Sequence, residues 1–193
     1  MNDNLAPWRT LLSASLHRNR SQPSSRYLQL ATVTLEGKPA NRTVVFRGFL
    51  DQTNQLQMIT DSRSSKITQI SEQPWGEICW YFPRTREQFR LTGQLTILTE
   101  NSPNQEARIA LWQQLSDSAR QQFTWPSCQE PFVDNNSIFS QLPPCKNQPL
   151  ANFCLLLFEP DKVDHLELQK KPHHRHIYYL DNHQNWMSKK LNP

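Results

Sequence analysis

Glycine is scarce here, with only four in 193 residues. That excludes a G-x-G-x-x-G turn and a P-loop, which need several glycines to bring backbone N–H groups against a phosphate. Any phosphate must therefore be gripped by side chains. The four cysteines, Cys79, Cys128, Cys145 and Cys154, show no C-x-x-C spacing, so the expectation is ordinary thiols in a reducing compartment. No apolar run reaches the length of a signal peptide or a membrane span, and a cytoplasmic location is expected. Blocks of like charge are missing too. The 21 Lys and Arg against 17 Asp and Glu give a net charge of +4, spread along the chain. A small anionic molecule fits that distribution.

The length suits one domain over residues 1–193. Trp8, Leu11, Leu12 and Leu16 follow helical spacing behind Pro7, which predicts an amphipathic helix over 5–16. Residues 21–25 read as a loop. β-Prone runs follow at about 26–35, 39–48, 55–61, 76–82 and 87–99, separated by short polar turns, as in a small antiparallel barrel or sandwich. Ser102-Pro103-Asn104-Gln105 reads as a capping box opening a helix through Ala107, Ala110, Leu111 and Leu115, expected to plug one end of the barrel. Residues 125–151 hold five prolines and predict a long irregular excursion of the kind that shapes a site. Strands are expected again at 152–159, 162–169 and 174–180.

Two segments point to an anion. Strand 39–48 carries Arg42 and Arg47, and its period of two puts Arg42, Val44 and Phe46 on one face and Thr43, Val45 and Arg47 on the other. Without a bulge the two guanidinium groups cannot grip one phosphate. One would bind a phosphate while the other meets a different anion or a neighbouring subunit; both could equally be solvated strand charges. The second segment, Thr60-Asp61-Ser62-Arg63-Ser64-Ser65-Lys66, places hydroxyls, amide N–H groups and an ammonium at a strand-to-helix junction, where the helix dipole favours an anion. A plain N-cap by Ser64 or Ser65, with Ile67 and Ile70 turned inward, is the alternative.

Taken in order, these motifs resemble the pyridoxamine 5'-phosphate oxidase family over nearly the whole chain. A G-K-P turn leads to an R-x-V-L-L-K-G-F strand in that family, matched by Arg42 to Phe49. Its aromatic-Thr pair is matched by Ile59 and Thr60, and its S-R-K by Ser64, Ser65 and Lys66. Its R-Q-V-R-V-x-G strand is matched by Glu87 to Gly93, and its terminal W-x-x-x-R-L-x-P by Trp186 to Pro193, with Lys190 for Arg. The resemblance implies a mainly β fold with flanking helices: a split β-barrel, antiparallel and of Greek-key type. It implies non-covalent FMN at a homodimer interface. The cofactor-binding residues would be Arg42 on the phosphate, Thr43, Val44 and Val45 along the isoalloxazine, Ile59, Thr60, Ser64, Ser65, Lys66, Gln88 on the ring, and Arg175. Arg47 and Arg120 would face a phosphorylated substrate such as a vitamin B6 vitamer. The flavin N5 carries the chemistry, so no catalytic side chain is implied.

The departures fall at the substrate positions. The family's Tyr, Arg and Ser at helical spacing are not reproduced by Trp112, Ser116 and Arg120. Its R-L-H signature becomes Lys170 to His176, and one phosphate Arg of S-R-K is lost, with Arg63 nearby as a candidate substitute. This pattern is similar to a divergent FMN-binding branch of cyanobacterial and plant type. A flavin-dependent reductase or oxidase acting on another small molecule, and a flavin- or haem-binding module without catalysis, are the alternatives. No metal is expected, because His173 and His174 point to opposite strand faces and leave at most two ligands. Nucleic acid is not expected either, since Trp8, Trp75, Trp80 and Trp112 sit in contexts that favour burial.

Overall fold

Among the described residues, alternation of large apolar side chains with polar ones builds nine strands of one sheet around a shared core. A computed structural model describes residues 5–193. Helix α1 (Pro7–Arg18) starts on its proline and buries Trp8, Leu12 and Ser15, while Leu11 faces out. Strands β1 (Tyr27–Val33) and β2 (Pro39–Val45) form a hairpin, and β3 (Gly48–Phe49) follows at once. Next come β4 (Leu56–Asp61), α2 (Ser65–Glu72), β5 (Trp75–Phe82) and β6 (Glu87–Leu98). Helices α3 (Glu106–Gln114) and α4 (Asp117–Gln121) precede β7 (Phe153–Glu167), β8 (His174–Leu180) and β9 (Trp186–Leu191).

All pairings are antiparallel, in the order β2-β1-β5-β6-β7-β4-β3, with β8 on β7 and β9 on β8. The expected strand 39–48 breaks at Val45. Phe46 N–H donates to the Arg26 carbonyl at 2.8 Å and Arg47 N–H to the Gln57 carbonyl at 2.9 Å. The chain thus leaves β1 and joins β4 within two residues, and the barrel closes there. Gly48, at φ 145°, makes the bend.

The two strands expected at 152–159 and 162–169 are one. β7 runs through Pro160 because its register against β6 shifts there: Gly93 faces Pro160 and Thr92 faces Lys162, so Asp161 is the extra residue of a bulge. Gly93 is required at this crossing, since a Cβ would lie 2.1 Å from the Glu159 carbonyl oxygen. The first half of β7 pairs with β4 and the second with β8, so the sheet forks at the bulge. This is the split barrel.

The barrel core gathers Trp8, Leu28, Leu30, Met58, Trp80, Phe82, Phe89, Leu156 and Phe158, each worth about 1.5–3 kcal/mol or more of burial. Phe153, Leu155 and Leu157 point to the opposite face of β7, where they meet Trp112, Leu115 and Phe123 on one side and Leu111 on the other. The α3–α4 pair therefore covers the outside of the β4–β7 sheet rather than plugging the barrel. The capping box also fails to form. Ser102 Oγ accepts from Thr99 N–H, and Gln105 turns its amide back onto the carbonyls of Thr99, Glu100 and Ser102, so α3 opens three residues later. Trp75 contradicts its expected burial, because it starts β5 on the outward face and stays 40% exposed.

Candidate functional site

Arg42, Thr43, Val44, Val45 and Arg47 from the β2 arm, Ile59 and Thr60 from β4, and Lys66 from α2 line one cleft of about 380 Å³. Its remaining wall comes from Asp61, Arg63 and the segment Gln122–Cys128. Although Arg42 and Arg47 leave the chain on opposite faces, the crossover at Val45 and Gly48 turns both toward this space. A larger open groove, about 930 Å³ around the β7 bulge, carries Glu159, Asp161 and Asp181 against Lys162. Its sign of charge is wrong for a phosphate.

Arg42 is preorganised by neutral acceptors. Its Nη1 donates to the Leu30 carbonyl (3.2 Å) and Thr32 Oγ1 (2.6 Å), and its Nη2 to Gln69 Oε1 (3.0 Å). Among the described residues no carboxylate pairs with it, and burial lowers its pKa. Lys66 Nζ donates to Ser64 Oγ at 2.6 Å. Burial, and then the Arg42 charge, pull its pKa below the usual lysine value. Arg47 is lowered by burial and by neighbouring Arg26, and its Nε is buried without a partner. Three half-buried cations thus share the cleft without a counter-ion of their own among the described residues. Such an arrangement costs folding energy unless an anion compensates it.

The one carboxylate in the cleft is already committed. Arg63 holds Asp61 by a fork, Nε to Oδ1 at 2.9 Å and Nη2 to Oδ2 at 2.6 Å. Burial alone would raise the Asp61 pKa, but the bonds from Arg63 and Asn152 outweigh it and lower it. The remaining Nη1 of Arg63 donates to the Trp125 carbonyl at 2.9 Å. Arg63 is therefore not the free cation that the missing phosphate Arg would be, because the Asp61 carboxylate neutralises its charge and its fork is turned onto that carboxylate.

Other expected residues lie elsewhere. Ser64 caps α2, accepting from the Lys66 N–H, and Ser65 is exposed; neither lines the cleft. Arg120 is the clear correction. Its side chain is buried, donating to the Leu115 carbonyl and to Asp117, so it ties α4 together instead of meeting a substrate. Gln88 and Arg175 sit together in a separate recess of about 150 Å³ with Arg90, Asp164, Leu166 and Pro193. There Asp164 accepts a fork from Arg175 (3.1 and 2.8 Å) and a third bond from Arg90 (2.6 Å). His174 faces Glu167 at 3.7 Å, and no metal-binding cluster forms among the described residues. No described helix is long and apolar enough to cross a membrane.

Sequence reasoning missed Gln69, the pairing of Asp61 with Arg63, and the Gln122–Phe123 part of the wall. Gln69 had a signal, being a polar residue three positions after Lys66 beside inward Ile70. Asp61 and Arg63 had one too, as opposite charges two apart at a strand end. Trp125, Pro126 and Cys128 fall in the 125–151 excursion that the sequence marked as one to shape a site, whereas Gln122 and Phe123 had no signal, since they reach the cleft only through the tertiary fold.

Residues 5–99 match the family model described as "Pyridoxamine 5'-phosphate oxidase, FMN-binding domain". The chain is 35% identical over 201 residues to pyridoxine/pyridoxamine 5'-phosphate oxidase 2 of Arabidopsis thaliana, spanning 100% of both. Among solved structures, a pyridoxamine 5'-phosphate oxidase-related, FMN binding protein from Nostoc punctiforme matches with TM-score 0.96 and 54% identity, over 98% of this chain and 100% of that one. PhzG from Burkholderia lata shares the fold at 22% identity and TM-score 0.76, over 96% and 90% of the two chains. With the uncompensated cations of the cleft, these likenesses establish that the chain belongs to the pyridoxamine 5'-phosphate oxidase family, as a split-barrel protein with FMN as its cofactor.

Proposed function

We propose that the β2–β4–α2 cleft holds FMN for an oxidoreductase reaction on a phosphorylated small molecule of the vitamin B6 type. The observation that carries this is the set of half-buried, uncompensated cations Arg42, Lys66 and Arg47 in one cleft. Arg42 and Lys66 neighbour each other closely enough to shift the lysine, and a dianionic phosphate relieves that repulsion. Thr43, Val44 and Val45 offer strand backbone and apolar surface to a flat ring, and Ile59 and Thr60 flank it from β4. Arg47, which lines the cleft without an ion-pair partner among the described residues, is the hook for a second anionic group on the substrate. When bound, FMN supplies at N5 an acceptor for a hydride from the substrate carbon. The chain's own tasks are to grip, orient and exclude water.

The working unit is a homodimer. Gln88 and Arg175, expected at the cofactor, sit in a recess separate from the cleft of the same chain. Tyr27, Trp75, Tyr81, Tyr179 and Met187 are large side chains left 39–47% exposed. A second copy covering them would carry its Gln88 and Arg175 to the first copy's cleft. Sedimentation should give twice the 22.7 kDa chain mass.

The test is an anaerobic absorption spectrum of FMN-reconstituted protein before and after pyridoxine 5'-phosphate. Bleaching of the blue flavin band establishes turnover of that vitamer. A bound but unbleached flavin moves the reaction to another substrate, and no bound flavin refutes the cleft assignment.

A further inference from the structure

The Asp61–Arg63 pair has a second set of bonds that reach across the cleft. Asn152 Nδ2 donates to Asp61 Oδ2 at 2.7 Å and also to the Phe123 carbonyl at 2.9 Å. Arg63 Nη1 donates to the Trp125 carbonyl, and Gln129 Nε2 donates back to the Arg63 carbonyl at 2.6 Å. Both ends and the middle of segment 123–129 are thus fastened to the end of β4. Behind it, Trp125 Nε1 donates to the Phe139 carbonyl and its ring meets Phe139 edge-on. A second recess of about 420 Å³ shares Arg63, Trp125 and Pro126 with the cleft, so these side chains stand between the two.

We infer that Asp61, Arg63 and Asn152 form a clasp that holds Phe123–Cys128 in place as a wall of the cleft, with Arg63 a positioning residue and not a phosphate ligand. The inference rests on the flavin reading for what the cleft holds, but the clasp itself does not depend on it. A planar guanidinium is required, because one residue must present a fork to Asp61 and a third donor to the Trp125 carbonyl. A lysine ammonium, a compact charge on a flexible stem, does not reproduce that plane. Charge also separates the roles. Within the clasp Arg63 is neutralised by Asp61, which leaves the phosphate to Arg42 and Lys66.

The experiment compares Arg63→Gln, Arg63→Lys and Asp61→Asn with the unsubstituted protein and with Arg42→Ala. Three readouts are taken: FMN affinity, riboflavin affinity, and amide hydrogen exchange over residues 122–130 in flavin-free protein. Riboflavin lacks the phosphate, so the ratio of the two affinities isolates phosphate binding. The clasp predicts that all three clasp variants exchange about tenfold faster or more over 122–130, the scale of one lost charge-assisted bond. It also predicts that FMN and riboflavin weaken together and their ratio holds, with lysine giving no rescue. A collapse of the ratio in Arg63→Gln, tighter FMN in Asp61→Asn, full rescue by lysine, or unchanged exchange overturns it. If Arg42→Ala leaves the ratio intact, the phosphate assignment fails while the exchange data still decide the clasp.

Discussion

Arg42→Ala tests the cleft most directly, because the structure counts the donors that a phosphate can use. A guanidinium has five N–H bonds. Three are engaged by the Leu30 carbonyl, Thr32 Oγ1 and Gln69 Oε1, and 5 − 3 leaves two, one on Nε and one on Nη2. Those two donors can form a fork on a phosphate. A hydrogen bond to a charged group is worth about 1.5–3 kcal/mol net, so losing the fork should cost about 3 kcal/mol, or roughly 150-fold in FMN affinity. The fold should survive the change. Thr32 Oγ1 keeps its own 2.6 Å bond to Gln69 Oε1, so the polar contact between β1 and α2 remains. The assay is fluorescence titration of flavin-free protein with FMN and, separately, with riboflavin. FMN affinity should fall and riboflavin affinity should stay, leaving the variant nearly indifferent to the phosphate. Equal weakening of both flavins, or no weakening of either, would refute the assignment of Arg42 to the phosphate.

Lys66→Met should remove a pH effect. Burial and Arg42 depress the Lys66 pKa, so FMN affinity in the unsubstituted protein should begin to fall at a pH below the usual 10.5, and a titration of the variant should be flat there. Gly93→Ala places a Cβ 2.1 Å from a backbone oxygen and 2.7 Å from Pro160 Cα, with no flexible side chain to yield. It should cost about 3 kcal/mol and lower Tm by roughly 6–12 °C, as read by circular dichroism; a drop under about 2 °C sinks the argument. Glu87 is buried against Arg18 and His165, and although burial raises its pKa, bonds from His165, Thr85, Arg18 and Ser15 hold it at about 2. Because the folded value lies below the ordinary 4.5, its stabilisation is complete above that pH and is lost as pH falls from 4.5 toward 2. Glu87→Gln should therefore cost about 2 kcal/mol at neutral pH, given the half-exposed Arg18, and its urea midpoint should converge with that of the unsubstituted protein near pH 2.

Local patterning made much of this molecule readable before any coordinates. The period of two along residues 27–33 and 87–98 marks half-buried strands, and the burial of Leu28, Leu30, Phe89 and Leu91 follows it. Ser64 before Lys66 marks a helix start, and its side chain does cap α2. Arg42 and Lys66 were legible as candidate anion ligands because each is a cation set on a regular element at a turn, and both line one cleft. What local pattern misjudged was competition between partners. Ser102 caps nothing because Thr99 N–H takes its hydroxyl first, and the charge of Arg63 is not free in the cleft because the Asp61 carboxylate pairs with it.

The sequence by itself thus determined the strand faces, the helix starts and the lack of any glycine-built phosphate loop, since those depend on neighbours within a few residues. Only the tertiary structure decided that Arg42 and Arg47 share a cleft, that Gln88 and Arg175 lie outside it, and that the segment Gln122–Cys128 walls it. Those facts depend on the two-residue crossover at Phe46–Arg47, the fork of the sheet at the Gly93–Asp161 bulge, and bonds spanning 62 and 91 positions from Arg63 to Trp125 and from Asp61 to Asn152. No local pattern encodes which distant carbonyl a guanidinium will find; the closed barrel brings the two together.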